Sequence, residues 1–431
     1  MWQTCPALTF KLRECGVDGG LRYKHVWRFI DEVDNVLQEH RGKVIETLQV
    51  KVNYVVRGVV RVRFPDYAIN DLVHFAITSR TKILALDLKP PSGWWIYGSD
   101  DRYLFPFHLF DDDTSTPCLQ NLQLSFASLN PPPPPQYKGF PNLRKLHLQV
   151  SHVGSKDLQR VLSHCCNLEW LHLDRCDIHN DDELAVAAPL PRLRYLRVSY
   201  CRKLTKIEFN AVNLVTFEYG GDLMPIHLVH SMKLQGANIK CGNDVLQHML
   251  VPLLKGIPSV QNLTLNARLG LPLLEKHYWL RDSLLLKFSN LRHLQLVMFI
   301  LDKDVEHILY SSVSFLKATP FIEKLEIHFR GVYTWFDQAG PSREDLIGQC
   351  KCNNYYLKSI WITGFKALKG QLEFLLHAVE NAQALEVLRV ETERRCPPSL
   401  HRQYEEAEEA KQRARASLNT VLSQDVAFDV I

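Results

Sequence analysis

Residues 143–173 read LRKLHLQVSHVGSKDLQRVLSHCCNLEWLHL. The stretch opens and closes on one figure: an apolar residue, two of any kind, an apolar residue, one of any kind, an apolar residue. Leu143/Leu146/Leu148 make the first copy and Leu168/Leu171/Leu173 the second. The last two members of each alternate with a polar residue, which is the period of a strand with one face buried. The first member sits in the turn that enters the strand. Between the copies, Ser155 is placed to cap a helix whose apolar face is Leu158, Val161 and Leu162. Strand, turn and returning helix make a unit, and the unit then begins again.

The figure recurs outward in both directions. Toward the C-terminus it appears at Leu193/Leu196/Val198, Leu214/Phe217/Tyr219, Val260/Leu263/Leu265, Leu291/Leu294/Leu296, Ile322/Leu325/Ile327, Leu357/Ile360/Ile362 and Leu385/Leu388/Val390. Toward the N-terminus it appears at Ile45/Leu48/Val50, Ile83/Leu86/Leu88 and Leu119/Leu122/Leu124, with a weaker copy at Val229/Met232/Leu234. Val305, Ile308 and Leu309 mark another helix face, and Leu372, Leu375, Leu376 and Val379 a third. This is the core of a leucine-rich repeat. The fold class is α/β: a leucine-rich-repeat solenoid, an irregular horseshoe with the parallel sheet concave and helices convex. The repeats span roughly 20–35 residues, broader than the ~20–29 of regular arrays. The solenoid runs over 45–390, with an aromatic insertion at 92–117. Residues 1–44 read as a connector followed by a capping helix with Val26, Phe29, Ile30, Val33 and Leu37 at helical spacing. Residues 391–431 read as a second cap, a charged helix from Tyr404 to Leu418 and a tail.

A chain of 431 residues, 46% hydrophobic and 23% charged with net charge +4, has the balance of a soluble globular protein. No apolar run approaches the ~18 residues of a membrane helix. Met1 to Phe10 lack the charged and apolar regions of a signal peptide. The eleven cysteines are therefore expected as thiols in cytoplasm and/or nucleus. No membrane partner is expected, and no Lys/Arg stripe marks a nucleic-acid site.

Catalytic signatures are missing: no nucleophile elbow, no phosphate-binding loop and no zinc-protease helix motif. The chain reads as a non-enzyme with no cofactor. His164, Cys165, Cys166, His172, Cys176 and His179 fit no common zinc spacing. Cys176 and Cys201 instead fall eight residues after the first leucine of their repeats, where a small side chain faces the inner turn. Cys350-x-Cys352 and Asp111–Asp113 read as loops. Pro131–Pro135 reads as a rigid spacer, with a proline-binding-module ligand as the other reading. Trp94, Trp95, Tyr97, Tyr103, Phe105, Phe107 and Phe110 crowd the insertion. Two readings compete for them, as a cover on the solenoid's flank or as anchors of an interface, and the cover leads.

The polar residues that alternate with the buried leucines line the concave face. His147, Trp170, His172, Tyr195, Arg197, His293, His328, Trp361 and Arg389 are the residue types that anchor protein interfaces, and a protein substrate is the expected partner.

Several stretches carry a family likeness. They are Phe29–Leu37, the run AITSRTKILALDL from Ala76, Tyr103–Phe110, and Tyr137-Lys138-Gly139-Phe140-Pro141-Asn142-Leu143 continuing to Cys165–Leu171. Through them the chain resembles the plant F-box/leucine-rich-repeat proteins over most of its length. The resemblance implies an F-box that docks on a Skp1-type adaptor of a cullin ubiquitin ligase, with the repeats presenting a substrate. Met1–Phe10 resemble the connector after an F-box, and the F-box itself is not seen upstream of them. A Skp1-type adaptor is thus implied only with an upstream F-box. Without one, the chain reads as an interaction scaffold or decoy with no ligase role.

Overall fold

The structure is a computed structural model describing residues 5–12, 19–40, 45–52, 55–57, 60–62, 65–89, 102–110, 118–133, 136–179, 183–201, 203–228, 230–269, 288–301, 307–332, 354–392 and 401–431. The chain divides into two compact units, Met1–Leu214 and Val215–Ile431. Each is built on a ladder of parallel strands.

In the first unit the ladder runs through β1 (Ala7–Leu12), β2 (Thr47–Val52), β3 (Ile83–Asp87), β4 (Asn121–Ser125), β5 (Lys145–Gln149), β6 (Trp170–Asp174) and β7 (Tyr195–Ser199). Pairing is residue for residue. Leu48, Leu84, Leu122, Leu146, Leu171 and Leu196 stand opposite one another, as do Val50, Leu86, Leu124, Leu148, Leu173 and Val198. None of these twelve is more than 2% exposed. Burying such a side chain contributes ~1.5–3 kcal/mol, against ~1 kcal/mol net for a ladder hydrogen bond. The apolar columns, not the hydrogen bonds, therefore select the register.

The register corrects two readings. In β3 the aligned triplet is Thr81/Leu84/Leu86 rather than Ile83/Leu86/Leu88: Thr81 is buried and Ile83 only half-buried. A slip of two keeps each side chain on its face, so alternation alone does not detect it. The weak copy at 229–234 is displaced by five residues. Ala237 and Ile239 fill the two columns, with Leu234 ahead of them, while Met232 is 75% exposed.

The returning segments of this unit also differ from the expected helices. α1 (Gly19–Glu39), α2 (Asp66–Thr78) and α3 (Ser155–Ser163) are present. Elsewhere the return is made by short strands, Tyr103–Leu104, Ala127–Leu129, His152–Gly154 and Asp177–His179, which pair as a second parallel sheet. The cause is the corner. Phe126, Val150, Arg175 and Tyr200, each the residue just after a ladder strand, all take φ between 50° and 62°. The N–H groups of Phe126, Val150 and Arg175 donate to the last carbonyl of the next strand at 2.9, 2.8 and 2.7 Å. This left-handed step turns the chain sharply and leaves it extended. Phe126, Val150 and Arg175 hold a conformation costing ~1–2 kcal/mol each because the next repeat supplies an acceptor.

The insertion covers the flank. Tyr103, Phe105, Phe107 and Phe110 are buried; the phenylalanine rings meet Phe140 and Tyr137, with Phe110 to Phe140 at 5.1 Å and Phe107 to Tyr137 at 5.6 Å, and the Tyr103 hydroxyl donates to Asn70 Oδ1 at 2.7 Å. Trp94, Trp95, Tyr97 and Asp111–Asp113 lie outside the described residues. So do Pro134 and Pro135, while Pro131 is buried and its carbonyl accepts from Arg160 Nη1 at 2.7 Å.

In the second unit the ladder comprises β8 (Thr216–Gly220), β9 (Gly236–Val245), β10 (Asn262–Arg268), β11 (His293–Leu301), β12 (Lys324–Val332), β13 (Ser359–Phe365), β14 (Val387–Thr392) and β15 (Ala427–Val430). Here the returning segments include α4 (Leu246–Gly256), α5 (Ile308–Ala318) and α6 (Lys369–Glu380), with α7 (His401–Leu418) packed on α6. Val305 lies outside the described residues. β13 ends in a bulge at Gly364, whose φ is +68° and where a Cβ would lie 2.1 Å from the Phe329 carbonyl oxygen. Only glycine fits there.

Each ladder gains a strand beyond the span read as repeats. β1 sets Leu8 opposite Leu48 within the segment read as a connector. β15 sets Phe428 and Val430 opposite Leu388 and Val390 within the segment read as a tail.

Two outcomes are expected. Leu171→Ala and Leu294→Ala each lose roughly 2–5 kcal/mol in urea unfolding, because both side chains are fully buried in the columns. Thr81→Val gains about 1 kcal/mol in the same measurement, because the buried Thr81 hydroxyl has no hydrogen-bond partner.

Candidate functional site

Each ladder has a face turned away from its apolar columns. On β5, β6 and β7 the aligned outer residues are Lys145, Trp170 and Tyr195; His147, His172 and Arg197; Gln149, Asp174 and Ser199. The rungs interlock. Trp170 stacks on Tyr195 with centroids 5.2 Å apart and planes 8° apart. His147 stacks on His172 at 4.2 Å and 4°. The indole stands at 89° to both imidazoles, 5.9 Å from His147 and 5.4 Å from His172. Strand spacing of ~4.8 Å brings rings on facing positions to this distance without backbone adjustment.

A polar rung closes one side of the array. Lys89 Nζ donates to Gln149 Oε1 at 2.6 Å, and Gln149 Nε2 donates to Asp174 Oδ2 at 2.7 Å. Arg197 Nε donates to Ser199 Oγ at 3.1 Å. The two imidazoles are less well served. Each has a buried Nε2 with no hydrogen-bond partner. Burial lowers the pKa of both, that of His172 to about 4, with His147 and Arg197 lowering it further. Both imidazoles are therefore neutral at physiological pH, and two ring stacks set at right angles make the array aromatic.

The second unit carries a different arrangement. Gln295, Glu326, Trp361 and Arg389 align across β11 to β14, with His293 and Lys324 on the rung before. Glu326 is the hub. It is 5% exposed, and it takes a hydrogen bond from Gln295 Nε2 at 2.9 Å, a contact from His293 Nε2 at 3.1 Å and an ion pair from Lys324. His328 Nε2 lies 3.5 Å away, and its Nδ1 meets Thr363 Oγ1 at 2.9 Å. Burial pushes the Glu326 carboxyl up, but the Lys324 hydrogen bond and the charges of Lys324, His293 and His328 outweigh it and hold it below the usual range. Burial lowers both histidines despite the carboxylate. Beside the hub, Trp361 Nε1 donates to Glu391 Oε1 at 3.1 Å, and Arg389 Nε sits 3.1 Å from the same oxygen.

The nine residues expected on this face are all on it, eight half-buried and Arg389 exposed. His147, Trp170, His172, Tyr195 and Arg197 fall in one array. In the other unit His293 and His328 meet at Glu326, and Trp361 and Arg389 meet at Glu391. Glu326, Glu391, Gln149 and Asp174 organise the two sites without having been singled out. Their outward position followed from strand alternation. Their bonding did not, because it depends on which residues become neighbours across repeats of unequal length.

The cysteines are structural where described. Ser151, Cys176 and Cys201 each lie two residues after a strand and donate to backbone carbonyls of the preceding repeat, Cys176 Sγ to Leu148 O at 3.3 Å. Burial pushes the Cys165 thiol up to about 12, and His164 packs on Tyr137 at 5.1 Å. Among the described residues no group of three His, Cys, Asp or Glu side chains is placed to hold a metal, and no helix is long and apolar enough to cross a membrane. Cys350 and Cys352 lie outside the described residues.

In-register parallel strands, leucine columns and a polar outer face define a leucine-rich-repeat protein. Residues 36–426 match the family described as "At1g61320/AtMIF1, LRR domain", and the chain belongs to that family. Its relatives bear out the resemblance to plant F-box/leucine-rich-repeat proteins. The FBD-associated F-box protein At1g61320 of Arabidopsis thaliana is 24% identical over 385 residues, which cover 86% of this chain and 77% of that one. The putative FBD-associated F-box protein At1g61330 of the same plant is 24% identical over 280 residues, 61% of each chain. The F-box/FBD/LRR-repeat protein At3g51530, also from Arabidopsis thaliana, is 29% identical over 153 residues, 35% of this chain and 29% of its own. The chain thus spans less than two thirds of the length of two of these three relatives.

The stacked histidines set a pH dependence. Unfolded, each takes a proton near 6.5; folded, His172 does so only near 4. Below 6.5 the unfolded state binds more protons, so stability falls as pH drops toward 4. In His172→Phe the loss of stability between pH 7 and pH 5, read from urea midpoints, should be smaller than in the unaltered chain. An unchanged loss would remove the stack as its source.

Proposed function

We propose that this chain is a non-enzymatic protein-recognition module, equivalent to the substrate-binding part of an F-box subunit of a cullin-type ubiquitin ligase and acting in cytoplasm and/or nucleus. The names of its relatives support the F-box connection. Engagement of a Skp1-type adaptor would come from an F-box joined to the repeats, and the repeats would hold the substrate.

The observation that carries this reading is the array of Trp170, Tyr195, His147 and His172. Partner-binding energy concentrates in a few large, rigid, partly buried side chains, with Trp, Tyr and Arg prominent among them. Trp170 and Tyr195 have their rotamers fixed by mutual stacking before any partner arrives. Their outer surfaces remain open to solvent, and Arg197 adds a donor fork beside them.

The test is comparative purification of the tagged chain from plant cells, unaltered and as Trp170→Ala/Tyr195→Ala, with companions quantified by mass spectrometry. A companion protein reduced about tenfold or more in the variant, at unchanged circular dichroism, supports recognition through this face. Recovery of a Skp1-type adaptor and a cullin with both forms supports the ligase assignment. Companions retained equally by the variant would remove the face from the interaction, and absence of adaptor and cullin would remove the ligase role.

A further inference from the structure

α1 and α2 lie away from the outer strand face, and together they expose a second surface of definite chemistry. Trp27 and Tyr67 project from the two helices and stack on each other with centroids 6.5 Å apart and planes 28° apart. They are 50% and 51% exposed. Large aromatics half in water, paired across two helices, cover little of the core beneath them. That core is already closed by Phe29, Ile30 and Val33 on one helix and Ala68, Ile69, Leu72 and Val73 on the other.

The surroundings of the pair are acidic. Asp31 and Asp34 follow Trp27 at helical spacings of four and seven, and Asp71 follows Tyr67 at four, so the carboxylates share the aromatic faces. α1 carries its cations early, at Arg22, Lys24 and Arg28, and its four acids, Asp31, Glu32, Asp34 and Glu39, all beyond them, with Arg28 paired to Glu32 at 3.0 Å. α2 contains Asp66 and Asp71 and no Lys or Arg. Asp34 registers the imbalance. Burial and then the charges of Asp71 and Asp31 push its carboxyl above the ordinary range. The chain as a whole is positive, at +4. The excess of acid is thus confined to the part of α1 beyond Trp27 and to Asp66 and Asp71 of α2.

We propose that the face formed by Trp27, Tyr67, Asp31, Asp34 and Asp71 is a docking surface for an arginine- or lysine-rich segment of a partner protein, distinct from the outer strand face. Guanidinium and ammonium groups stack on indole and phenol faces by cation–π attraction, and the three aspartates supply charge-assisted acceptors beside them. A cation settling between Asp31, Asp34 and Asp71 relieves their mutual repulsion. Charge complementarity therefore selects a basic occupant over an acidic or purely apolar one.

Fluorescence anisotropy with the full chain and a fluorescein-labelled nine-arginine peptide tests this, with a nine-glutamate peptide as control. The expected result is saturable binding of the arginine peptide alone, weakened by added salt. Trp27→Ser/Tyr67→Ser and Asp31→Asn/Asp71→Asn should each lower affinity about tenfold, while thermal melting is unchanged because all four side chains are exposed. Absence of saturable binding, or equal affinity in the Asp31→Asn/Asp71→Asn variant, overturns the proposal. So does sedimentation showing a dimer that Trp27→Ser abolishes, which would assign the face to a second copy of the chain.

Discussion

A parallel strand pairs with its neighbour residue for residue, and a slip of one carries every side chain to the opposite face. In this chain such a slip would move Leu146, Leu171 and Leu196 into water and draw Trp170, His172 and Arg197 into the core. The apolar columns forbid it at each strand independently. Everything else is a consequence of that restriction. His147 meets His172 because both follow a column leucine by one residue, and Glu326 meets Gln295 for the same reason. The outer faces are ordered by what lies beneath them.

The buried acids show how far this ordering reaches. A carboxylate on an exposed strand face ordinarily stays in water. Glu326 is nearly covered because its neighbours on both flanking strands are large, and the ladder leaves it no room to swing outward. Burial of an unpaired carboxylate would be costly. Gln295, His293 and Lys324 remove that cost by donating to both oxygens. Asp174 is handled similarly by Gln149 and Arg175. These bonds fix rotamers on the outer face, so packing beneath and hydrogen bonding across the face hold the same side chains still.

Most of the ladder was legible because period-2 alternation and a repeated leucine figure are local signals. The departures from the leucine figure have separate physical origins. Ile83 fits the figure as well as the true entry residue Thr81, since a displacement of two leaves alternation intact. Val229/Met232/Leu234 was chosen over Leu234/Ala237/Ile239 because a small column residue, Ala237, weakens the figure where it is real. β1 and β15 escaped because their entry residues are Cys5 and Asp425 rather than leucine, so only pairing with a neighbour reveals them. The short second sheet was hidden for a different reason. It depends on left-handed corners at Phe126, Val150 and Arg175, residue types that ordinarily avoid that conformation. Of the two outer-face sites, the membership was readable and the bonding was not. His293 finds Glu326 only once repeats of unequal length are laid side by side.

The two units offer partners different terms. The Trp170 array is aromatic and already stacked, so contact with it costs little side-chain ordering. Its selectivity is for shape and apolar area. The Glu326 hub is ionic and internally satisfied, so a partner that approached it would have to match or displace bonds already made. Displacing one of them leaves a buried charge short of a donor, which penalises an imperfect match more than it rewards a good one. Each arrangement arises within its own unit, through nothing more than the choice of side chain beside each column leucine.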